Sequence, residues 1–198
     1  MEKTFVLATF NTHKAAEMLA ILPKLPLKVR TLADFPGAVP AVEDGATLEE
    51  NALKKALAAA RFTGLPALAD DTGLEVDALG GAPGVRSARY AGETASYAQN
   101  NALLLASLDK VPEGKRSARF ACVVALALPS GLTVTARGTL EGAIAAAPRG
   151  ANGFGYDPLF LVGEGPLTLA ELSEEAKNAL SHRARALSAI LPRLLTML

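Results

Sequence analysis

Asp70 and Asp71 stand side by side after a short apolar run, and a glycine-rich stretch at 80–84 separates them from Arg86 and Arg89. Carboxylates hold hard cations such as Mg2+, and arginines meet anions, so the stretch has the parts of a metal-dependent site for a phosphorylated substrate. By itself an Asp-Asp pair reads first as a charged turn between two elements. Other segments carry complementary chemistry. Thr9, Asn11 and Lys14 flank a strand-to-helix turn, where the exposed N–H groups of a helix start favour anions. It lacks the glycines and the GK[ST] ending of a phosphate-binding P-loop. Asn51 and Lys55 are four residues apart and share a helix face. The loop at 148–158 crowds glycines around Phe154, Tyr156 and Asp157, and Lys177, His182 and Arg183 follow near the end.

A nucleoside triphosphate needs cations and N–H donors for its phosphates, carboxylates for its metal, and a stacking surface with a few edge contacts for its base. The chain offers each. Thr9, Asn11, Lys14 and Lys55 suit phosphates, with Lys177 as a further candidate. Asp70, Asp71 and Glu43 suit Mg2+, which takes oxygen ligands and usually retains waters. Phe154 or Tyr156 suits a base face, and Asp157, His182 and Arg183 its edge. With only two histidines, His13 and His182, and one cysteine, a histidine-rich metal site and an intramolecular disulfide are excluded.

The 198 residues favour one domain, or one domain with two lobes, and a 50% hydrophobic content is ample for a core. Twenty basic residues balance twenty acidic ones, so no global field draws the chain to nucleic acid or to a membrane surface. No apolar stretch reaches the roughly 18 residues that span a bilayer, and the start turns polar too soon for a signal peptide. The single Cys122, inside an apolar run, fits a buried hydrophobe and a reducing cytoplasm.

In chain order, residues 3–9 read as a buried strand and 14–22 as a helix, capped by Asn11 or Thr12, ended by Pro23, with Ala16, Leu19, Ala20 and Leu22 on one face. A second strand is expected at 27–31 and a loop at 33–45. Thr47 and Glu50 have capping-box spacing ahead of a helix at 48–62. Residues 67–69 read as a strand end leading into the aspartates, with a further strand at 74–78. A helix at 96–108 is expected to bury Leu103, Leu104 and Leu108. Residues 116–128 and 132–142 flank Pro129-Ser130-Gly131 as a β-hairpin, extended at 143–147. A short strand at 159–162, a connector at 167–172 and helical residues from 173 to 195 in one or two pieces complete the chain.

Five stretches raise the specificity: LATFNTHKAAEM at 7–18, TLEENALKKA at 47–56, ALADDTGLEVDALGGAPGVRSARYAG at 67–92, RGANGFGYDPLF at 149–160 and AELSEEAKNALSHRARAL at 170–187. In order and spacing the chain resembles the inosine triphosphate pyrophosphatase family. The FGYDPLF and SHR stretches argue against the Maf-like pyrophosphatases. Thr72 stands where the family often has serine, and His13 where it often has glycine.

The resemblance implies a single two-lobed α/β domain over 1–198, with a long mixed β-sheet flanked by helices and an active site in the cleft between lobes. It implies Mg2+-dependent hydrolysis of ITP, dITP and XTP to the monophosphate and pyrophosphate, and a cytoplasmic homodimer. Carried over by motif, Asp71 is the catalytic acid-base residue and a metal ligand, with Glu43 as a second ligand. Thr9, Phe10, Asn11, Thr12, His13 and Lys14 form the phosphate loop. Lys55, Thr72, Phe154, Gly155, Tyr156, Asp157, Lys177, His182 and Arg183 complete the substrate-binding set.

Overall fold

A computed structural model describes residues 3–22 and 27–197. Six strands form one sheet in the order β2-β1-β3-β4-β5-β6: β1 (Lys3–Leu7), β2 (Leu27–Thr31), β3 (Ala67–Val76), β4 (Ser117–Ala127), β5 (Thr133–Ile144) and β6 (Phe160–Val162). The sheet is mixed: β1 pairs in parallel with β2 and β3, and β5 pairs antiparallel with β6. The expected hairpin is present as β4 and β5, neighbours joined by a turn in which Leu128 N–H donates to the Leu132 carbonyl at 2.9 Å. Among the described residues five α-helices accompany the sheet: α1 (Thr12–Ile21), α2 (Leu48–Thr63), α3 (Tyr97–Ser107), α4 (Glu174–Leu180) and α5 (His182–Met197).

The chain divides into two compact units, residues 1–71, 122–138 and 183–198, and residues 72–121 and 139–182. The core of unit 1 gathers Phe5 and Leu7 of β1, Leu68 of β3, Cys122, Val124 and Leu126 of β4, Met18 of α1 and Leu187, Ile190 and Leu194 of α5. The strand residues recur every second position and the α5 residues every three or four, the two periods of strand and helix. Cys122 is the buried hydrophobe expected of it. Unit 2 gathers Leu74, Leu104, Leu108, Phe120, Tyr156, Leu159 and Phe160 around its own core.

Several expectations are corrected. The aspartates do not sit at a strand end before a turn; β3 runs unbroken through them. β1 ends at Leu7; Ala8 N–H still donates to the Leu68 carbonyl at 2.8 Å, and beyond it the Thr9 hydroxyl accepts Asn11 N–H at 3.1 Å in the turn into α1. Asn11, not Thr12, caps α1, accepting Lys14 N–H at 3.1 Å. Ala16, Leu19 and Ala20 lie on the exposed side of α1; Met18 is its buried residue, with Ile21 and Leu22 packed beside it. The Pro23 stop lies outside the described residues. In α3, Leu104 is buried but Leu103 is exposed, because the inward face carries Asn100, Leu104 and Leu108. At α2, Thr47 accepts Glu50 N–H at 3.1 Å as expected, but the Glu50 carboxylate returns to Ala46 N–H at 2.7 Å, one residue earlier than the reciprocal bond of a capping box.

Candidate active site

Alternation along β3 sends the adjacent aspartates to opposite faces of the sheet. Asp71 follows Ala67 and Ala69 in parity and meets α2. That helix lines its buried side with Ala52, Ala56, Ala59 and Ala60, small residues that allow close approach, and places Asn51 and Lys55 on the same side. Asn51 Nδ2 donates to Asp71 Oδ2 at 3.3 Å, and Lys55 Nζ sits 2.8 Å from Asp71 Oδ1. Lys55 Nζ also lies 3.2 Å from Glu43 Oε2, so one ammonium stands between two carboxylates. The loop bearing Glu43 is tied to the start of α2, for Gly45 N–H donates to Asn51 Oδ1 at 2.8 Å. A Cβ on Gly45 would fall 2.6 Å from that same oxygen, which accounts for glycine there.

Burial pushes the Asp71 carboxyl above the ordinary carboxylate range, against the pull of Lys55 and Lys14, while Glu43 adds to the rise. Burial acts the other way on Lys55, but Asp71, Asp70 and Glu43 outweigh it and hold the amine protonated.

Asp70 shares the parity of Leu68 and lies beside Cys122 at the end of the unit 1 core. Its Oδ2 receives Lys14 Nζ at 3.1 Å and Arg183 Nη2 at 3.1 Å. The other arm of Arg183 pairs with Glu17 of α1. Burial opposes ionisation of Asp70, yet Lys14, Arg183 and Lys55 together hold its carboxyl far below the usual range. The rotation of α1 that exposes Leu19 is therefore the one that turns Lys14, Glu17 and Met18 inward.

In unit 2 the glycine-rich loop is built around Asp157. Its Oδ2 accepts Phe154 N–H at 2.8 Å and Lys177 Nζ at 2.5 Å. The same ammonium lies 4.8 Å from the centroid of the Phe154 ring, a cation–π contact. Gly153, at φ 73°, is required: a Cβ there would lie 2.1 Å from Asp157 Oδ2. Tyr156 is buried and donates from its hydroxyl to the Ser87 carbonyl at 2.9 Å, and burial pushes its phenol well above the usual range. His182 stacks on Phe120 with centroids 4.7 Å apart and planes 17° apart.

Comparison with known proteins now bears on these two clusters. The model of the Ham1 family matches residues 5–193. This chain belongs to the Ham1 family. It is 57% identical over 183 residues to the dITP/XTP pyrophosphatase of Geobacter sulfurreducens, covering 92% of each chain. A solved HAM1 protein from Coxiella burnetii matches with a TM-score of 0.87 and 45% identity, covering 99% of this chain and 100% of the other. The Ham1 protein of Staphylococcus aureus matches with a TM-score of 0.86 at 39% identity, over 99% and 100% of the two chains.

In this Ham1 chain the expected site residues fall into sets by unit. Unit 1 brings together Glu43, Lys55 and Asp71 on α2's side, and Lys14 and Arg183 around Asp70. Thr9, Asn11, Thr12 and His13 open α1, with Phe10 exposed. Unit 2 holds Phe154, Gly155, Tyr156, Asp157, Lys177 and His182, and begins at Thr72, the strand neighbour of Asp71. The arginine whose side chain was expected at a base edge is instead engaged by Asp70 and Glu17. The sequence places Asn51 only on a shared face with Lys55 and does not single out Glu17; a polar residue one turn from each of Lys14 and Lys55 is the available signal.

Among the described residues no three His, Cys, Asp or Glu side chains gather to hold a metal. Asp71 and Glu43, converging on the Lys55 ammonium, already face one cation. Two carboxylates with substrate and water oxygens are a donor set that suits Mg2+. Asp70 is directed to Lys14 and Arg183.

Proposed function

We propose that this chain hydrolyses ITP, dITP and XTP to the monophosphate and pyrophosphate, clearing non-standard purine nucleotides from the nucleotide pool. The observation that carries this reading is the Glu43–Lys55–Asp71 row, a buried and an exposed carboxylate around one cation, in a chain 57% identical to a dITP/XTP pyrophosphatase. Lys14, Lys55 and the N-terminal turn of α1 neutralise the phosphate oxygens. The Phe154 ring offers the stacking face for the base. Thr72, Tyr156, Asp157, Lys177, His182 and Arg183 complete the substrate-binding set as contacts or as the residues that hold them, within one domain.

Asp71 and Glu43 would hold Mg2+, which supplies charge neutralisation on the phosphate oxygens when bound. Asp71 takes the proton of the attacking water, whose oxygen bonds to the α-phosphorus as the bond to the α–β bridging oxygen breaks and pyrophosphate leaves. Burial raises its affinity for protons above that of an ordinary carboxylate, which strengthens it as a base.

Base choice follows from donors and acceptors. Hypoxanthine and xanthine present a 6-oxo acceptor, whereas adenine presents a 6-amino donor. A donor from His182 or from a backbone N–H pairs with the first and is left unmatched by the second, a difference of about 1–3 kcal/mol, or roughly 5- to 150-fold per contact. A homodimer and a cytoplasmic location are proposed on the family resemblance and the single buried cysteine.

Pyrophosphate release from ITP, XTP, dITP, GTP and ATP, each with Mg2+ or with EDTA, tests the reading. ITP and XTP are cleaved with Mg2+ and ATP far more slowly. No release from ITP with Mg2+ present overturns the activity, and equal cleavage of ATP overturns the account of the base.

A further inference from the structure

We propose that Asn101, with Tyr97 one turn before it on α3, is a positioning residue that sets the stacking pose of Phe154 and hence the affinity for 6-oxopurine nucleotides. The inference rests on the proposed placement of the base against Phe154. Asn101 Nδ2 donates to the Gly155 carbonyl at 3.1 Å, a bond between α3 and a loop 54 residues further along the chain. Tyr97 shares that face of α3, and its ring centroid lies 6.0 Å from that of Phe154 at an interplanar angle of 39°. Together with Asp157 on the Phe154 N–H and Lys177 over its ring, this fixes the residue on both sides: its own amide, its ring and the carbonyl that follows.

The case for a role beyond packing comes from the other end of the amide. Asn101 Oδ1 is buried and has no hydrogen-bond partner among the described residues. A buried acceptor without a partner is unfavourable, and a leucine of similar size would avoid it. What asparagine supplies and leucine does not is the bond to Gly155. That residue sits at φ 64° next to Phe154, so restraining its carbonyl anchors the Gly155–Tyr156 peptide directly after the residue that carries the ring. Tyr97 remains 42% exposed, so its ring flanks Phe154 without being part of the core.

The variants Asn101→Leu, Tyr97→Ala and Tyr97→Phe test this with ITP and Mg2+. Asn101→Leu and Tyr97→Ala are expected to raise KM about three- to tenfold, the worth of one hydrogen bond or ring contact, with kcat changed less than twofold. Tyr97→Phe keeps the ring and should restore the affinity that Tyr97→Ala loses. The thermal midpoint of Asn101→Leu should equal or exceed that of the parent, which separates positioning from folding. Inhibition by inorganic tripolyphosphate, which has no base, should be the same in all of them. An active parent enzyme with unchanged KM in Asn101→Leu overturns the inference, whereas a parent that releases no pyrophosphate overturns the proposed function instead. Calorimetric binding of inosine monophosphate reads the same contact without turnover, and an equal Kd in parent and Asn101→Leu also overturns it.

Discussion

Two adjacent aspartates end in opposite electrostatic states because a strand sends them to opposite faces. Asp70 is met by Lys14 and Arg183 and stays ionised; Asp71 is buried with Lys55 shared between it and Glu43, and is pushed toward protonation. The two residues therefore fail in different ways. Asp71→Asn removes the proposed proton acceptor but keeps the shape and the contact to Asn51, so kcat should fall by about 10²–10⁴ while ITP binding largely survives, a loss in the range of general-base catalysis. Near-normal turnover in that variant removes Asp71 from the mechanism. In the proposed mechanism the working form of Asp71 is the carboxylate, so kcat/KM should rise with pH through a limb above the ordinary carboxylate range. Lys55 lowers the affinity of Asp71 for protons, so the residual activity of Lys55→Met should show that limb at higher pH still; an unmoved limb assigns it to another group. Asp70→Asn instead leaves two cations without their buried partner, which costs about 3–5 kcal/mol. Because the folded carboxyl is held below its unfolded value, the stability it contributes is present above about pH 4 and is lost as pH falls below that. Urea unfolding of parent and variant at pH 7 and at pH 3 should therefore show a large difference at the first and a smaller one at the second.

Elements hold these side chains through their first turns. The α2 start is fixed by Thr47 and Glu50, and the Glu43 loop is pinned to it by Gly45 and Asn51. In unit 2 the corresponding device is the Gly153 turn, where glycine leaves room for the Asp157 carboxylate to reach Phe154 N–H. Gly153→Ala would set a methyl 2.1 Å from that oxygen at a φ of 73°, so the loop must shift. Positive φ and the displaced carboxylate together cost about 1–3 kcal/mol. The expected result is a rise in KM for ITP with a lowered melting temperature, and an unchanged KM would detach the loop from base binding. Element types were legible from the sequence wherever a period was strong, as in α2 and the β4–β5 hairpin. The α1 face was not legible, because apolar periodicity alone ignores that Lys14 and Glu17 have buried partners far along the chain. The same long-range pairing kept β3 from being seen as one strand: Asp-Asp is a turn signal until Lys14, Arg183 and Lys55 supply the charges that let it stay in a sheet.

At the scale of the molecule, equal numbers of acidic and basic residues leave no general attraction for a polyanion. Recognition of a triphosphate must come from the few cations that the fold gathers, and these were legible as types and spacings while their pairings were not. Lys14 and Lys55 pair with the adjacent aspartates, whereas Lys177 belongs to the aromatic loop. On the proposed assignment of phosphate to the first two and base to the loop, the contributions should separate when the ligand is divided. Inorganic tripolyphosphate should inhibit ITP hydrolysis competitively, with a Ki that Lys14→Ala raises about tenfold or more, the loss of a charge-assisted contact of about 1.5–3 kcal/mol. Gly153→Ala should leave that Ki within twofold of the parent while weakening ITP and inosine monophosphate. The attraction of tripolyphosphate should also fall with added salt, as an interaction between charges at a partly exposed site must. A Ki that responds to Gly153→Ala as strongly as to Lys14→Ala would show that the aromatic loop takes phosphate, and would move Lys177 from the loop's support to the triphosphate itself.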